Sequence, residues 1–72
     1  MKITDVRSFG KALRDRRKAL GYTQGYISEF TGLSVSFISE LENGKTTAEI
    51  GKAIRIANLL GLDLLIQARG ED

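Results

Sequence analysis

The chain has 72 residues and contains neither cysteine nor histidine, which excludes disulfide bonds and removes the usual ligands of structural zinc. A domain of this size depends on its apolar core and gains further stability most readily by dimerising. No apolar run approaches the roughly 18 residues that span a bilayer, and the N-terminus lacks the apolar core of a signal peptide. We therefore expect a cytoplasmic protein with no membrane partner, metal or cofactor.

The formal net charge of +2 is unevenly distributed along the chain. Seven of the eleven basic residues, but only two of the nine acidic residues, lie within residues 1–18. A basic end on a nearly neutral protein is compatible with a polyanionic partner. A solvated, charged helix face would give the same pattern, and the composition does not separate the two interpretations.

The first predicted helix covers residues 5–20, with Thr4 as its N-cap and Gly21 just past its end. Its apolar face consists of Val6, Phe9, Leu13 and Leu20. Arg17 falls on the same face, where an apolar residue is expected. A charge at such a position indicates either a snorkelling side chain or a buried ion pair.

Two short helices follow, joined by a tight turn that contains glycine. The second is predicted over residues 24–31, between Thr23 as N-cap and Gly32, and the third over 35–42 behind Ser34 as N-cap. This arrangement fits a helix-turn-helix unit.

The fourth predicted helix begins with a capping box, Thr46-x-x-Glu49, and ends at Gly61. Its expected core face consists of Ile50, Ala53, Ile54, Ala57 and Leu60, while Ile56 and Leu59 fall outside that face.

Beyond Gly61 the apolar period changes to alternation, which predicts a short β-strand over residues 62–68. A single strand in a helical protein has no partner strand within its own chain. Pairing with the same strand of a second copy about a two-fold axis would satisfy its backbone N–H and C=O groups. The predicted dimer interface comprises Ile56, Leu59, Leu62, Leu64, Leu65 and Ile66. The alternative is a tail that folds back on the fourth helix.

One constellation is specific enough to indicate a family. Its residues are Gly21-Tyr22-Thr23-Gln24, Ile27, Gly32-Leu33-Ser34, Ile38-Ser39 and Leu41-Glu42-Asn43-Gly44-Lys45. This pattern resembles the Xre-type, lambda-repressor-like helix-turn-helix family over residues 8–62. Ser28 replaces the usual alanine and Gly25 softens the second helix, and we expect both departures to affect stability more than recognition.

The resemblance implies an all-α bundle of four to five helices with a short C-terminal β-strand that pairs across a dimer. Residues 1–61 would form the DNA-binding domain, and residues 62–72 the dimerisation element and tail. No catalytic residues are expected, because no serine near a helix N-terminus has a candidate base beside it.

By this resemblance, Val35, Ser36 and Glu40 match base-reading positions, and Phe37 and Ser39 lie on the same outer face of the third helix. Val35 or Phe37 would pack on a thymine methyl, Ser36 would bond to either kind of partner, and Glu40 would accept from a cytosine amine. Two alternatives stay open: Phe37 as a core residue beside Phe30, and Glu40 as a residue that rejects wrong sites.

Four residues are expected to bind DNA phosphates: Thr23, Gln24, Asn43 and Lys45. Gln24 stands at a helix N-terminus, where free amides and the helix dipole favour anions, and its family counterpart donates to phosphate. By family position, Glu42 is expected to form a structural ion pair with Arg17. Alternatively, Arg17 forms no ion pair and only adds to the positive charge of residues 1–18 that would attract DNA.

The function implied is a sequence-specific transcriptional repressor that acts as a homodimer on a palindromic operator in double-stranded DNA, without a small-molecule ligand. The ending Leu60-Gly61-Leu62-x-Leu64 is also similar to Hip-type antitoxins, which dimerise through such a strand, bind a kinase toxin and repress their own operon. A rival from another class is a protein-interaction module that keeps the fold without specific DNA binding.

Overall fold

The computed structural model describes residues 2–45 and 47–70, and this part of the chain folds into four helices. They are α1 (Val6–Ala19), α2 (Gln24–Thr31), α3 (Val35–Glu42) and α4 (Ile50–Leu59). Helix α3 packs against both α1 and α2, and α2 also packs against α4. The predicted helical bundle around a helix-turn-helix unit is therefore confirmed. No helix in the described ranges is long and apolar enough to cross a membrane.

The boundaries of α2 and α3 follow from local caps, as predicted. The hydroxyl of Thr23 accepts from the N–H of Tyr26, and the hydroxyl of Ser34 accepts from the N–H of Phe37, both at 3.0 Å. Gly32 ends α2 with a φ of 75°, a left-handed conformation that glycine adopts without steric penalty. The turn that sets the angle between these helices is thus specified by single residues.

The predicted starts of α1 and α4 need correction. Asp5, not Thr4, is the N-cap of α1, because its carboxylate accepts from the N–H of Ser8 at 2.7 Å and the two residues form a capping box. Helix α4 begins at Ile50 with Glu49 as an N-cap that makes no side-chain capping bond. The predicted box with Thr46 as its cap falls partly outside the described residues, and Glu49 does not occupy the third helical position expected for it.

The core combines buried side chains from all four helices and the turn between α2 and α3: Leu13, Ile27, Leu33, Ile38, Leu41, Ala53, Ile56, Ala57 and Leu60. The predicted face of α4 is partly wrong, because Ile50 is 72% exposed whereas Ile56 is 2% exposed. Positions 53, 56, 57 and 60 repeat at helical spacing as well as positions 50, 53, 54 and 57 do. Packing against α2 buries positions 53, 56, 57 and 60. Because Ile56 is buried in the core of its own protomer, it cannot belong to the expected dimer interface.

Residues 62–68 carry no regular secondary structure, and no strand occurs in the parts of the chain described. Leu62 is half-buried against the core and its N–H donates to the carbonyl of Ala57 at 2.9 Å. Leu65 is 79% exposed, and Ile66 is fully exposed. A strand is defined by its ladder to another strand, and one isolated protomer offers no such partner. The expected strand is therefore absent from the described protomer.

Helix α1 lies unusually close to the C-terminal end of α3. A Cβ on the buried Gly10 would collide with the carbonyl oxygen of Leu41 and would lie 2.9 Å from that of Glu42. Only glycine permits this approach of the two backbones. The contact fixes α1 against the helix that carries the predicted base-reading residues.

Candidate nucleic-acid interface

The outer face of α3 presents the predicted base-reading residues to different degrees. Val35, Ser36 and Glu40 are exposed, while Ser39 is half-buried. On the opposite face of the same short helix, Ile38 and Leu41 point into the core, and each is only 1% exposed. The helix is therefore anchored along one side, and the other side carries an apolar, a hydroxyl and a carboxylate group.

Phe37 occupies an intermediate position between the outer face and the core. Its ring packs against the core cluster, and the ammonium group of Lys52 lies 5.6 Å from the ring centroid. Phe30 instead contacts Tyr26, with ring centroids 4.6 Å apart and the two rings tilted by 43°. The alternative of Phe37 as a core residue fits this placement, although the neighbour observed over its ring is Lys52 and not the predicted Phe30.

A buried ion pair ties α1 to α3. The Nε and Nη2 atoms of Arg17 donate to the two carboxylate oxygens of Glu42 at 2.7 and 2.9 Å, and each residue is only 8% exposed. The carboxylate raises the pKa of Arg17 above its ordinary value by accepting these bonds. A third donor, Nη1, reaches the carbonyl of Tyr22 at 2.9 Å. The ion pair predicted from the sequence is present, and it also fixes the segment that leads into α2.

Gln24 belongs to the same network. Its side-chain amide nitrogen donates to the Glu42 carboxylate at 3.1 Å, so the carboxylate accepts from both α1 and the first residue of α2. This contact was not predicted, because the two residues are 18 positions apart and no local pattern joins them. The predicted phosphate-binding role would use the remaining amide hydrogen of Gln24 and the backbone N–H groups of Gln24 and Gly25, which have no acceptor within the helix.

The other predicted phosphate-binding residues lie around the same surface. The hydroxyl of Thr23 caps α2, and Asn43 is an exposed residue that ends α3. The ammonium group of Lys45 lies 2.6 Å from a carboxylate oxygen of Glu40, and both side chains are about half exposed. The structure thus joins a predicted phosphate ligand to a predicted base reader. Sequence reasoning missed this pair, because the five-residue spacing crosses the end of α3.

The basic residues of the N-terminal segment are partly engaged within the chain. The Nε of Arg16 donates to the carbonyl of Leu60 at 2.9 Å, and Lys11 forms an exposed ion pair with Asp15 at 2.7 Å. With Arg17 buried, part of the charge asymmetry has a structural explanation. The charge excess of residues 1–18 alone therefore does not mark the interface.

An aromatic ladder runs along α2 and its entry, formed by Tyr22, Tyr26 and Phe30. The two tyrosine rings stack with centroids 4.4 Å apart and an interplanar angle of 28°. Desolvation by this contact, together with the neighbouring Tyr22, raises the pKa of Tyr26. The four-residue spacing of the three rings was visible in the sequence and is the signal that could have predicted the ladder.

A family model described as "Helix-turn-helix" matches residues 13–66, which include α2, the turn and α3. The chain belongs to this helix-turn-helix family. This is the Xre-type, lambda-repressor-like group, and similarity to named transcriptional regulators supports DNA binding as the general activity.

Three similar proteins share most of this chain. An uncharacterized HTH-type transcriptional regulator of Haemophilus influenzae is 35% identical over 88% of the chain, which spans only 62% of that protein. The uncharacterized HTH-type transcriptional regulator y4mF of Sinorhizobium fredii is 34% identical over 97% of the chain and 92% of its own length. The ImmF control region 10 kDa protein of Bacillus phage phi105 is 32% identical over 86% of the chain and 69% of its length.

Proposed function

We propose that the protein is a sequence-specific transcriptional repressor that acts as a homodimer, with α3 of each protomer in the major groove of one half of a palindromic operator. The observation that carries this proposal is that α3 is held in a fixed orientation by its contacts with the neighbouring helices. The buried contacts of Glu42 with Arg17 and Gln24 fix the helix against α1 and α2. A reading helix that must place side chains on base edges benefits from such rigidity.

Base contacts are assigned to the exposed side of α3. Val35 would pack on a thymine methyl, Ser36 would donate to or accept from a base edge, and Glu40 would accept from an exocyclic amine. The half-buried Phe37 and Ser39 would contribute only the edges that remain accessible. Since the contacts come from one short helix, each half-site would contain only a few specified base pairs.

Phosphate contacts are assigned to both flanks of the reading helix. Thr23 and Gln24 stand at the start of α2, and Asn43 and Lys45 follow the end of α3. Groups at these two places would bind the phosphates of the DNA backbone on either side of the major groove. Such contacts set orientation and salt dependence without reading sequence.

The dimer is assigned to residues 62–68. Leu64, Leu65 and Ile66 are exposed in the isolated protomer, and pairing with the same segment of a second copy would cover them and satisfy their backbone groups. Leu59 and Leu62, half-buried against the core, would form the edge of this interface. The two reading helices would then face half-sites about one helical turn apart, or a multiple of it.

A narrower role as the antitoxin of a toxin–antitoxin pair is a second candidate. It is favoured by the exposed leucine-rich ending, which is similar to that of Hip-type antitoxins, and it adds a kinase toxin as a partner. Co-purification of a kinase encoded beside this gene, followed by loss of its activity in the complex, would support this role. The absence of such a neighbour would leave a stand-alone regulator.

The deciding experiment measures binding to DNA from upstream of the protein's own gene at two salt concentrations, by mobility shift or fluorescence anisotropy. We expect Ser36→Ala to weaken operator binding by about 0.5–1.5 kcal/mol, the contribution of one neutral hydrogen bond. Lys45→Ala should weaken binding to all sequences and reduce the salt slope by about 0.9 per protomer. Lys11→Ala removes the same charge from the exposed side of α1 and serves as the matched control.

Two outcomes would contradict the proposal. One is a folded protein that shows no preference for any palindrome over unrelated DNA. The other is equal loss of affinity in the Lys11 and Lys45 variants, which would indicate general charge attraction rather than a defined interface. The outer face of α3 would then be examined as a protein-binding surface, as the rival function requires.

A further inference from the structure

We propose that the ion pair between Glu40 and Lys45 is exchanged on DNA, so that phosphate binding by Lys45 obliges Glu40 to find an amino group on a base. The inference rests on the proposed function and extends it to the determinant of specificity. It predicts that an operator base pair is rejected when its exocyclic amine lies on the strand away from Glu40, so that guanine or thymine faces the carboxylate instead of cytosine or adenine.

The geometry of the pair makes exchange feasible. The ammonium and carboxylate groups are 2.6 Å apart, with 60% and 49% of the Lys45 and Glu40 side chains exposed. Exposed ion pairs of this kind are weak, so a phosphate oxygen competes effectively for the lysine. The backbone N–H of Lys45 donates to the carbonyl of Glu40 at 3.0 Å. The side chain can therefore turn away while its backbone stays anchored to the end of α3.

No second cation is in place to replace Lys45. Among residues 2–45 and 47–70, it is the one basic group within 4.0 Å of the Glu40 carboxylate. Lys52, which lines the same shallow cavity, lies 3.5 Å from Glu49 and above the ring of Phe37. Once Lys45 moves to a phosphate, the carboxylate of Glu40 faces the groove without a partner.

An unpaired carboxylate against DNA is unfavourable, because it is desolvated beside a polyanion. The amino group of cytosine, or that of adenine, provides the donor that removes this penalty in the major groove. Guanine and thymine edges without a facing amine present acceptors and leave the penalty in place. The pair therefore converts a charge-neutral surface in the free protein into a selective one on DNA.

The same reasoning predicts the salt dependence. Glu40 and Lys45 together carry no net charge, so the pair contributes little to the release of counterions. Glu40→Gln leaves the lysine uncompensated at the interface, and the slope of log K against log salt should steepen by about 0.9 per protomer. Glu29→Gln makes the same charge change on an exposed residue of α2 and should leave the slope nearly unchanged.

The test uses the full chain and an operator series in which each half-site position is replaced in turn. The wild type should lose roughly 5- to 150-fold in affinity when the amine-bearing base at one position is replaced. Glu40→Ala should bind the two operators about equally and bind unrelated DNA more tightly. The double variant Glu40→Ala/Lys45→Met should restore the wild-type salt slope without restoring the base preference.

Three results would overturn the inference. If the wild type binds its operator but Glu40→Ala keeps the same base preference, Glu40 does not read an amine. If Glu40→Gln steepens the slope while the wild type prefers no amine-bearing base, the pair stays intact on DNA. If the wild type binds no DNA at all, the proposed function fails and this inference fails with it. Circular dichroism of each variant establishes that the exposed substitutions leave the fold intact.

Discussion

Replacing Glu42 by alanine removes the group that satisfies Arg17 and holds Gln24. The guanidinium of Arg17, a residue that is only 8% exposed, would keep only the carbonyl of Tyr22 as an acceptor. Stranding one member of a buried ion pair costs about 3–5 kcal/mol. A domain of this length has a total free energy of unfolding of about 4–11 kcal/mol. We therefore expect Glu42→Ala to lose a large part of this free energy and to unfold at a much lower urea concentration than the wild type.

The assay is urea denaturation followed by far-ultraviolet circular dichroism at one fixed protomer concentration, because dimerisation makes stability depend on concentration. The chain supplies a matched control in Lys11 and Asp15, whose charged groups lie at the same 2.7 Å as the closest contact between Arg17 and Glu42. The control side chains are 70% and 53% exposed, against 10% and 5% for the buried pair. Asp15→Asn should therefore leave the urea midpoint nearly unchanged, because solvent screens an exposed ion pair.

A second variant separates burial from charge. Arg17→Met/Glu42→Leu removes both charges and keeps apolar volume, so its stability should equal or exceed that of the wild type. Operator binding should still weaken, because Gln24 loses its acceptor and the angle of α2 is less well fixed. If Glu42→Ala is no less stable than Asp15→Asn, the ion pair contributes nothing measurable and the reasoning on the mounting of α3 is refuted.

Three further predictions concern other parts of the molecule. Gly10→Ala should destabilise the fold by more than about 2 kcal/mol in urea denaturation, because its new methyl group meets the backbone carbonyls of α3, although alanine favours helices. The pKa of Asp5 is lowered chiefly because its carboxylate accepts from the backbone N–H of Ser8. The charged Asp5 therefore stabilises the protein at pH values above its ordinary pKa, and this stabilisation is lost as the pH falls through the pKa of the folded state. Asparagine also caps helices but does not titrate. Asp5→Asn should therefore lose less thermal stability than the wild type between about pH 5 and about pH 2. Ile66→Asp places a charge on a fully exposed side chain and should give a folded monomer by sedimentation.

Each of these predictions has its own counter-result. Gly51→Ala serves as the control for Gly10, because no neighbouring atom lies within 4 Å of the added methyl group, and it should be neutral or stabilising. Equal effects of the two alanines would remove the close-approach argument. Identical acid profiles for Asp5→Asn and the wild type would show that the carboxylate charge is not used. An Ile66→Asp variant that remains a dimer would exclude residues 62–68 as the interface.

The correct predictions of helix boundaries come from signals within three or four residues, although the equally local N-caps of α1 and α4 were assigned to the wrong residues. The caps Thr23 and Ser34 bond to backbone groups three residues on, and Gly32 ends its helix by its own conformation. The buried face of α4 is a different kind of problem. Ile50 and Ile56 are both compatible with helical spacing, and only the position of α2 decides which one is buried.

The candidate site divides in the same way. The pairing of Arg17 with Glu42 was predicted from the family position, after an arginine on an apolar stripe had indicated an unidentified partner. The contact between Gln24 and Glu42 and the pair of Glu40 with Lys45 depend on how separate elements meet in space. Residue type and spacing do not determine contacts between separate elements, so the sequence indicated the residues of the site but not the contacts that they make with one another.

The stacked tyrosines at the start of α2 and in the segment before it provide an intrinsic optical signal. The chain has two tyrosines and no tryptophan, so its fluorescence and most of its near-ultraviolet dichroism arise from Tyr22 and Tyr26 alone. Their rings are 4.4 Å apart, beside the helix end assigned to the DNA backbone. Loosening of this one helix is therefore observable without a label, separately from the melting of the other helices in the far ultraviolet. A spectroscopist can ask of the unmodified protein whether its recognition unit opens before the rest of the chain.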